Sequence, residues 1–210
     1  MKKLKLSLVI ALLGMVSFVG AQDLSFNVKG GLNLSNLSGD VEDTKVKPGF
    51  HIGVGADYEF APNLALQTGL FFTNKGAKAE GDVSLGDTDL VNGEATMNAN
   101  FLQLPIHIAY KIDVMPGTRV VLHAGPYIAY GIGGKTKFEV SSGSTSASEK
   151  YDTFGSDGLK EFDAGLGLGV GAEFGPILLD LGWDMGLANL GDSDAKVKTQ
   201  NAYLSVGYKF

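Results

Sequence analysis

The sequence contains no cysteine, which excludes disulfide bonds, thiolate zinc sites and a lipid-modified N-terminal cysteine. It also has little of the apolar periodicity that marks amphipathic helices. After the N-terminal segment it contains no apolar run of about 20 residues, the length that a membrane-spanning helix needs. These absences leave strands as the main source of structure.

The N-terminal segment has the pattern of a cleavable secretory signal. A lysine-rich start precedes an apolar run that ends at Val19, and Ala21 completes a small-residue cleavage site before Gln22. We therefore expect a signal peptide at 1–21 and one domain at 22–210, with an uncleaved membrane anchor as the alternative. Cleavage would remove three of the 17 basic residues and none of the 23 acidic ones, which leaves 14 against 23 and a formal net charge of −9. So acidic a chain does not favour nucleic acid as a partner.

Eight later stretches alternate between apolar residues and polar or glycine residues, the two-residue period of a β-strand. They are DLSFNVKGGLNLS, GFHIGVGADYEF, LALQTGLFFT, FLQLPIHIAYKI, RVVLHAGPYIAYGI, EFDAGLGLGVGAEF, ILLDLGWDMGL and NAYLSVGYKF. A soluble sandwich would carry many lysines and glutamates on its polar faces, whereas these faces carry mostly glycine and a few charges. Small inward residues suit a narrow closed barrel, and an apolar outer face suits lipid. The prediction is an all-β fold: an eight-stranded antiparallel up-and-down transmembrane β-barrel.

Short and long connections alternate along the chain, as in outer-membrane barrels with tight periplasmic turns and long extracellular loops. The short connections are predicted at 61–63, 113–117 and 175–176. The long ones are predicted at 36–47, 81–94, 140–160 and 190–197. The protein is thus expected to be integral to the outer membrane of a Gram-negative cell, with both termini in the periplasm.

Aromatic side chains are predicted to form two girdles on the outer face, at the depth of the lipid headgroups. The periplasmic girdle comprises Phe26, Tyr58, Phe60, Tyr110, Phe174, Tyr208 and Phe210, and the extracellular one Phe50, Phe72, Tyr130 and Phe162. The final strand places Leu204, Val206, Tyr208 and Phe210 on the same outer face. Closure against the first strand would leave this strand no edge to fray.

Five segments, which together span nearly the whole mature chain, carry a family resemblance. They are VKGGLNLSNLSG, FHIGVGADYEFAPNLALQTGLFFTNKGAK, FLQLPIHIAYKI, LHAGPYIAYGI and YLSVGYKF. They resemble the PorT-like outer-membrane β-barrel family of the Bacteroidetes, eight-stranded barrels of the OmpX and OmpA type. The distinctive motifs are GGLN and the aromatic-x-x-LP strand at Phe101–Pro105, where members often have Tyr; they are structural and imply fold and location. The family member with a known role takes part in protein secretion.

The C-terminal pattern also resembles the signal that the outer-membrane assembly machinery recognises, a final Phe with alternating apolar residues before it. This resemblance implies that Leu204, Val206, Tyr208 and Phe210 form an assembly signal.

Charged and histidine side chains are predicted to line the interior. The histidines are His51, His107 and His123, all inward by parity. The charge network comprises Lys29, Asp57, Glu59, Lys75, Lys111, Arg119, Asp163, Glu173, Asp180, Asp184 and Lys209. These charges should pair, because isolated buried charges are costly. An eight-stranded interior is generally filled rather than open.

The turn at 113–117 suggests a histidine pair. If Lys111 pairs with Arg119, His107 lies directly opposite His123, and a slip of the register by two residues is the alternative. Two histidines could bind a metal ion or titrate near neutral pH, but no third ligand is evident, so a polar network is the favoured interpretation.

The connection at 175–176 predicts a second set of neighbours. Asp180 should lie opposite Gly171, and Asp184 opposite Gly167. The glycines would leave space for an Arg or Lys side chain to reach each carboxylate.

Other motifs are weak. Ala129–Thr136 fits a relaxed P-loop pattern, but the residues after it cannot form the helix that this mechanism requires. The alternating glycines at 165–171 fail as a dinucleotide fingerprint for the same reason. Acidic residues in the long loops match no EF-hand spacing, so solvated charge is expected, with cation bridging to lipopolysaccharide as the alternative.

The sequence therefore predicts a non-enzymatic protein with no catalytic, cofactor-binding or metal-binding residues. It would stabilise the envelope or present its loops at the cell surface. The expected partners are outer-membrane lipid and lipopolysaccharide, the assembly machinery during biogenesis, and a protein bound through the extracellular loops. A small-solute pore and an accessory component of a secretion system are alternatives. A lipid-modifying enzyme would need an outward Ser/His/acid group, which the inward histidines oppose.

Overall fold

Strands make up nearly all of the described structure. The computed structural model describes residues 24–40, 44–84, 90–142, 145–155, 158–191 and 196–210, so the predicted signal peptide lies outside the described residues. The strands in chain order are β1 (Leu24–Gly39), β2 (Thr44–Ala61), β3 (Leu64–Ser84), β4 (Leu90–Met115), β5 (Thr118–Gly133), β6 (Lys135–Ser142), β7 (Thr145–Asp152), β8 (Phe162–Phe174), β9 (Ile177–Gly186) and β10 (Val197–Lys209). Within the described ranges, no helix is long and apolar enough to cross a bilayer.

Eight of these strands form a closed antiparallel ring, which confirms the predicted barrel. The ring runs β1–β2–β3–β4–β5–β8–β9–β10, and β10 pairs with β1 to close it. This seam extends from the pair Asn27 and Lys209 to the pair Gly39 and Val197. Beyond it, the Phe210 backbone N–H donates to a carbonyl oxygen of β1 at 2.9 Å. The last strand is therefore paired to its end.

The two ends of the ring differ in their connections. Two-residue turns at Pro62–Asn63, Pro116–Gly117 and Gly175–Pro176 all lie at the end that carries the start of β1 and the end of β10. Asn63, Gly117 and Gly175 adopt φ values of 66°, 76° and 57°, which let the chain reverse within two residues. We call this the turn end and the opposite one the loop end.

At the loop end, the predicted bounds of two loops were wrong because strands continue into both segments. β3 and β4 stay paired as far as Ser84 and Leu90, within the predicted loop 81–94. The predicted loop 140–160 contains most of the β6–β7 hairpin, and β6 pairs with β4. We call the outer halves of β3 and β4, together with β6 and β7, the projecting sheet.

The 36–47 loop is also shorter than predicted, because β1 continues to Gly39 and β2 begins at Thr44. The cause is the same in each case. Beyond the bilayer a strand no longer needs one lipid-facing row of apolar residues. Its sequence then loses the alternation that distinguishes a strand from a polar loop.

The ring is apolar outside and polar inside. Large apolar side chains such as Leu32, Val54 and Leu168 are 61–68% exposed on the outer face. Buried positions on the same strands are mostly polar, charged or glycine, for example Asn33, Asp57 and Gly167. This is the arrangement of a barrel whose outer surface contacts lipid.

The predicted girdle residues lie on the outer face, near the two ends of the ring. Those nearest the turn end are Phe26, Tyr58, Phe60, Tyr110, Phe174, Tyr208 and Phe210, and those toward the loop end are Phe50, Phe72, Tyr130 and Phe162. All are exposed except Tyr58 and Phe72, which are half-buried. Leu204 and Val206 of the predicted assembly signal share this face, 54% and 56% exposed.

Candidate functional site

The turn end of the interior holds six charged side chains that contact one another, here called the turn-end cluster: Asp57, Glu59, Lys111, Arg119, Glu173 and Lys209. Lys111, whose side chain is 1% exposed, contacts all three carboxylates at 2.9–3.0 Å. Arg119 contacts Glu59 at 3.0 Å and Glu173 at 2.7 Å, and Lys209 contacts Glu173 at 2.7 Å. Three cations thus balance three carboxylates, as buried charges require.

The pairing of β4 with β5 differs by two residues from the register that would place Lys111 opposite Arg119, a shift that the sequence left open. Lys111 pairs with Val121, and Arg119 pairs with Asp113. The cause is the turn, which reverses over Pro116–Gly117 alone, with an irregularity between Asp113 and Met115. This turn is centred closer to β5 than the predicted one.

His107 and His123 nevertheless meet in the middle of the interior. His123 lies opposite Ala109, so the two rings approach diagonally and stack with centroids 5.1 Å apart. Their Nδ1 atoms are 3.0 Å apart, and His123 Nε2 lies 2.9 Å from Asp180 Oδ1. Lys29 Nζ donates to the other oxygen of Asp180 at 3.4 Å. The histidines are therefore part of a polar chain.

Both glycine–acid pairs across the β8–β9 hairpin are confirmed, since Asp180 lies opposite Gly171 and Asp184 opposite Gly167. The expected cation reaches only Asp180. Among the described residues, no Lys or Arg nitrogen lies within 4.0 Å of the Asp184 carboxylate. Gln103 Nε2 donates to it instead, at 2.9 Å.

Ser205, His51 and Asn33 form a hydrogen-bonded chain that sequence reasoning missed. Ser205 Oγ lies 2.8 Å from His51 Nε2, and His51 Nδ1 lies 2.7 Å from Asn33 Oδ1. This order matches nucleophile, base and orienting group in acyl-transfer enzymes. The three residues are only 0–8% exposed, however, and their strands commit backbone N–H groups to the ladders rather than to an oxyanion. The inward parity of Ser205 and Asn33 was the available signal.

Lys75 and Asp163 lie nearer the loop end. Lys75 Nζ is 3.7 Å from Asp163 Oδ2 and 4.6 Å from the centre of the Tyr127 ring. Asp163 also accepts hydrogen bonds from the Tyr127 hydroxyl at 3.2 Å and from Thr199 at 2.9 Å. All of these contacts are made by Asp163 Oδ2, whereas Asp163 Oδ1 is buried without a hydrogen-bond partner in the described part of the chain.

Apolar side chains close the loop end, and we call them the loop-end plug: Ala99, Phe101, Tyr127, Ala129, Phe154, Leu159 and Leu190. Phe154 and Leu159 come from the segment between β7 and β8, and Leu190 from the segment after β9. Phe101 and Phe154 pack edge to face with centroids 5.3 Å apart. The plug therefore joins four strand residues to three residues of connecting segments that fold back over the barrel.

A cavity of about 80 Å³ occupies the middle of the interior. Its walls include His51, His107, His123, Asp180, Asp184 and Asn201. Four buried atoms of the cavity-lining residues have no hydrogen-bond partner in the described part of the chain: Asn27 Oδ1, Gln103 Oε1, His107 Nε2 and Asn201 Oδ1. The space is large enough for several water-sized groups.

Ala129–Thr136 spans the end of β5 and the start of β6, so a strand and not a helix follows its glycines. In the described residues, no group of three or more His, Asp or Glu side chains is arranged to hold a metal ion.

Comparison with known proteins identifies the family. A model described as outer membrane protein beta-barrel domain matches residues 20–192. The chain belongs to this family. It is thus an integral β-barrel protein of the outer membrane. A separate search of curated proteins found no match.

Solved structures that match the chain include outer-membrane proteins from three bacterial groups. Ail, the attachment invasion locus protein of Yersinia pestis, is 18% identical over 90% of this chain and 100% of its own, with a TM-score of 0.40. Neisserial surface protein A is 15% identical over 90% and 100%, with a TM-score of 0.41. A major outer membrane protein from Thermus thermophilus is 15% identical over 89% and 99%, with a TM-score of 0.49.

Proposed function

We propose that this protein is a non-enzymatic outer-membrane barrel that presents the projecting sheet to a protein partner outside the cell, with both termini in the periplasm. The length of its strands carries the proposal. β3 has 21 residues and β4 has 26, whereas a tilted strand crosses a bilayer in about 9–11 residues. About half of each strand therefore extends beyond the membrane.

The β6–β7 hairpin supplies a surface for such a partner. β7 pairs only with β6 among the described strands, so its other edge offers backbone N–H and C=O groups. An extended peptide can add to an edge of this kind as a further strand. Phe138 and Tyr151 lie on the hairpin, 47% and 55% exposed and packed edge to face, and could anchor it.

The closed interior argues against the alternative of a small-solute pore. The turn-end cluster and the loop-end plug occupy the two ends of the ring, and a filled interior is usual for eight strands. Single-channel recording on the refolded protein in a planar bilayer distinguishes the two. We expect no steady openings, and reproducible salt-dependent openings would favour the pore.

Membership of the PorT-like family of the Bacteroidetes is part of the proposal, and it brings a role in protein secretion as a further alternative. The GGLN motif supports family membership but not the secretion role, because its residues have a structural part in the barrel interior. Gly31 makes room for the His51 ring, which a methyl group there would approach to 2.7 Å, and Asn33 holds the same ring. A deletion strain that retains its secreted proteins in the periplasm would favour the secretion role.

The orientation can be tested because the sequence contains no cysteine. Single variants Ser148→Cys on the hairpin and Pro62→Cys in a turn-end turn provide matched probes. A membrane-impermeant maleimide should label the first on intact cells and the second only after lysis. The reverse pattern would contradict the orientation.

The partner surface can be tested with a variant in which residues 135–152 are replaced by a short Asn-Gly turn. The eight-stranded ring should still form, as heat-modifiable gel migration would show. Peptides selected from an extended-peptide library on the intact protein should fail to bind this variant. Undiminished binding would place the partner surface elsewhere.

The proposal that the protein is not an enzyme can be tested with a fluorophosphonate probe. Labelling of Ser205 that a Ser205→Ala variant escapes would contradict it.

A further inference from the structure

When His107 and His123 are both neutral, the hydrogen bonds around His107 determine which of its nitrogens carries a proton. Asp180 is a carboxylate acceptor for His123 Nε2 at 2.9 Å, so neutral His123 has its proton on Nε2 and a lone pair on Nδ1. His107 Nδ1, 3.0 Å from that lone pair, must donate to it. The remaining nitrogen, His107 Nε2, is therefore an acceptor.

This acceptor and Asp184 border the same small space beside Gly167. A methyl group on Gly167 would lie 2.8 Å from His107 Nε2 and 2.9 Å from Asp184 Oδ1. The two atoms are therefore no farther apart than the sum of these distances, which two hydrogen bonds to a single bridging group can span. His107 and Asp184 are 5% and 3% exposed.

Further acceptors surround this space. Gln103 donates its amide N–H to Asp184, which leaves Gln103 Oε1 without a partner in the described chain, and Asn201 lies directly opposite Asp184 with its own Oδ1 unpartnered there. Both side chains line the cavity. The nearby Lys75 Nζ lies 3.7 Å from Asp163 and over the Tyr127 ring, makes no hydrogen bond within the described chain, and does not come within 4.0 Å of Asp184.

The site therefore combines a carboxyl group that no Lys or Arg nitrogen contacts within 4.0 Å, among the described residues, with further acceptors. A ligand that suits it brings both positive charge and N–H donors. We propose that the cavity binds an ammonium group, either the ammonium ion or a short primary amine, through His107 Nε2, Asp184 and the amide oxygens of Gln103 and Asn201. A sodium ion has no proton to donate to the imidazole. A transition metal would want a third strong ligand, and the described residues provide no group of three.

The test uses the full mature chain, refolded into detergent micelles so that the cavity forms in the presence of the cation. Imidazole ¹⁵N NMR reports directly on His107. Without added amine, His107 Nε2 should show the signal of a lone-pair nitrogen. Ammonium chloride or methylammonium chloride should shift it saturably, whereas sodium chloride and tetramethylammonium chloride of equal ionic strength should not. If only ammonium acts, the ion is the ligand; if methylammonium binds at least as well, the ligand is an amine.

Matched variants complete the test. Asp184→Asn should weaken saturation at least about tenfold, because it removes the charged acceptor. Gly167→Ala should block the site, whereas Gly30→Ala, whose methyl group would lie no closer than 3.5 Å to any other atom, should leave it intact. A protonated Nε2 in the unliganded wild type, no saturable shift, or an equal response to sodium would each overturn the proposal. All three are measured on the wild-type protein, so they do not depend on a variant that folds.

Discussion

The two ends of the barrel interior are closed by opposite kinds of side chain. At the turn end, strand residues bring together equal numbers of cations and carboxylates, with Lys111 in contact with all three acids. At the loop end, Phe154 and Leu190 come from connecting segments and pack with the strand residue Phe101. At the turn end, where only strand residues fill the interior, the buried cations and carboxylates must balance one another. Where connections fold back, burial of apolar surface holds them in place.

The largest effect is expected from removing the central cation of the turn-end cluster. Lys111→Met would leave its three carboxylate partners with only Arg119 and Lys209. We expect a loss of about 3–5 kcal/mol in the free energy of unfolding, because breaking a buried ion network leaves uncompensated charge. Urea titration in detergent or lipid vesicles would measure it.

Lys209→Met is the matched control, because Lys209 is partly exposed and contacts only one carboxylate. The Lys209→Met variant should lose clearly less free energy of unfolding than Lys111→Met. Equal losses in the two variants would mean that the central position of Lys111 has no special importance.

At the loop end, truncation of the plug should have a somewhat smaller effect. Phe101 is 0% exposed, and Phe101→Ala should destabilise the protein by about 3 kcal/mol through lost burial and a new cavity. The variant should still conduct no ions in a planar bilayer, because the turn-end cluster remains. Phe138→Ala, at a 47% exposed position, is the control and should change stability by about 0.5 kcal/mol or less. Conductance from Phe101→Ala alone would show that the turn-end cluster does not close the interior.

The smallest effect should come from Tyr127, which belongs to the plug but also donates to Asp163 at 3.2 Å. Tyr127→Phe keeps the ring over Lys75 and removes one hydrogen bond, and Asp163 still accepts from Thr199. We expect a loss of about 1 kcal/mol, measured by the same urea titration. A loss as large as that of Phe101→Ala would indicate that polar contacts, not apolar burial, hold the loop end closed.

The outer face and the ring were predictable because lipid imposes a period of two on every strand that touches it. Leu204 and Val206 could be placed on the outer face. The pairing of Asp180 with Gly171 followed from the two-residue turn at Gly175–Pro176, which the sequence marks clearly. Parity also placed the three histidines inside.

Other features depend on information that alternation does not contain. A shift of two residues preserves parity, so no pattern could reveal that Lys111 pairs with Val121. Gln103 and Ser205 are uncharged, so their sequence does not indicate an oppositely charged partner. Their contacts with Asp184 and His51 follow only from the geometry of the closed ring. The projecting sheet was missed because its sequence lacks the regular alternation of apolar residues by which the other strands were recognised.

The seam between β1 and β10 also has a consequence for the order of assembly. It joins the first strand of the ring to the last, so its contacts have the greatest separation along the chain and carry the largest entropic cost of loop closure. The other pairs of the ring join strands much closer in sequence and can form earlier. Until β10 is in place, both seam strands expose unpaired backbone edges. A chaperone or insertase that shields these two edges would therefore act at the slowest and most aggregation-prone moment of the barrel's formation.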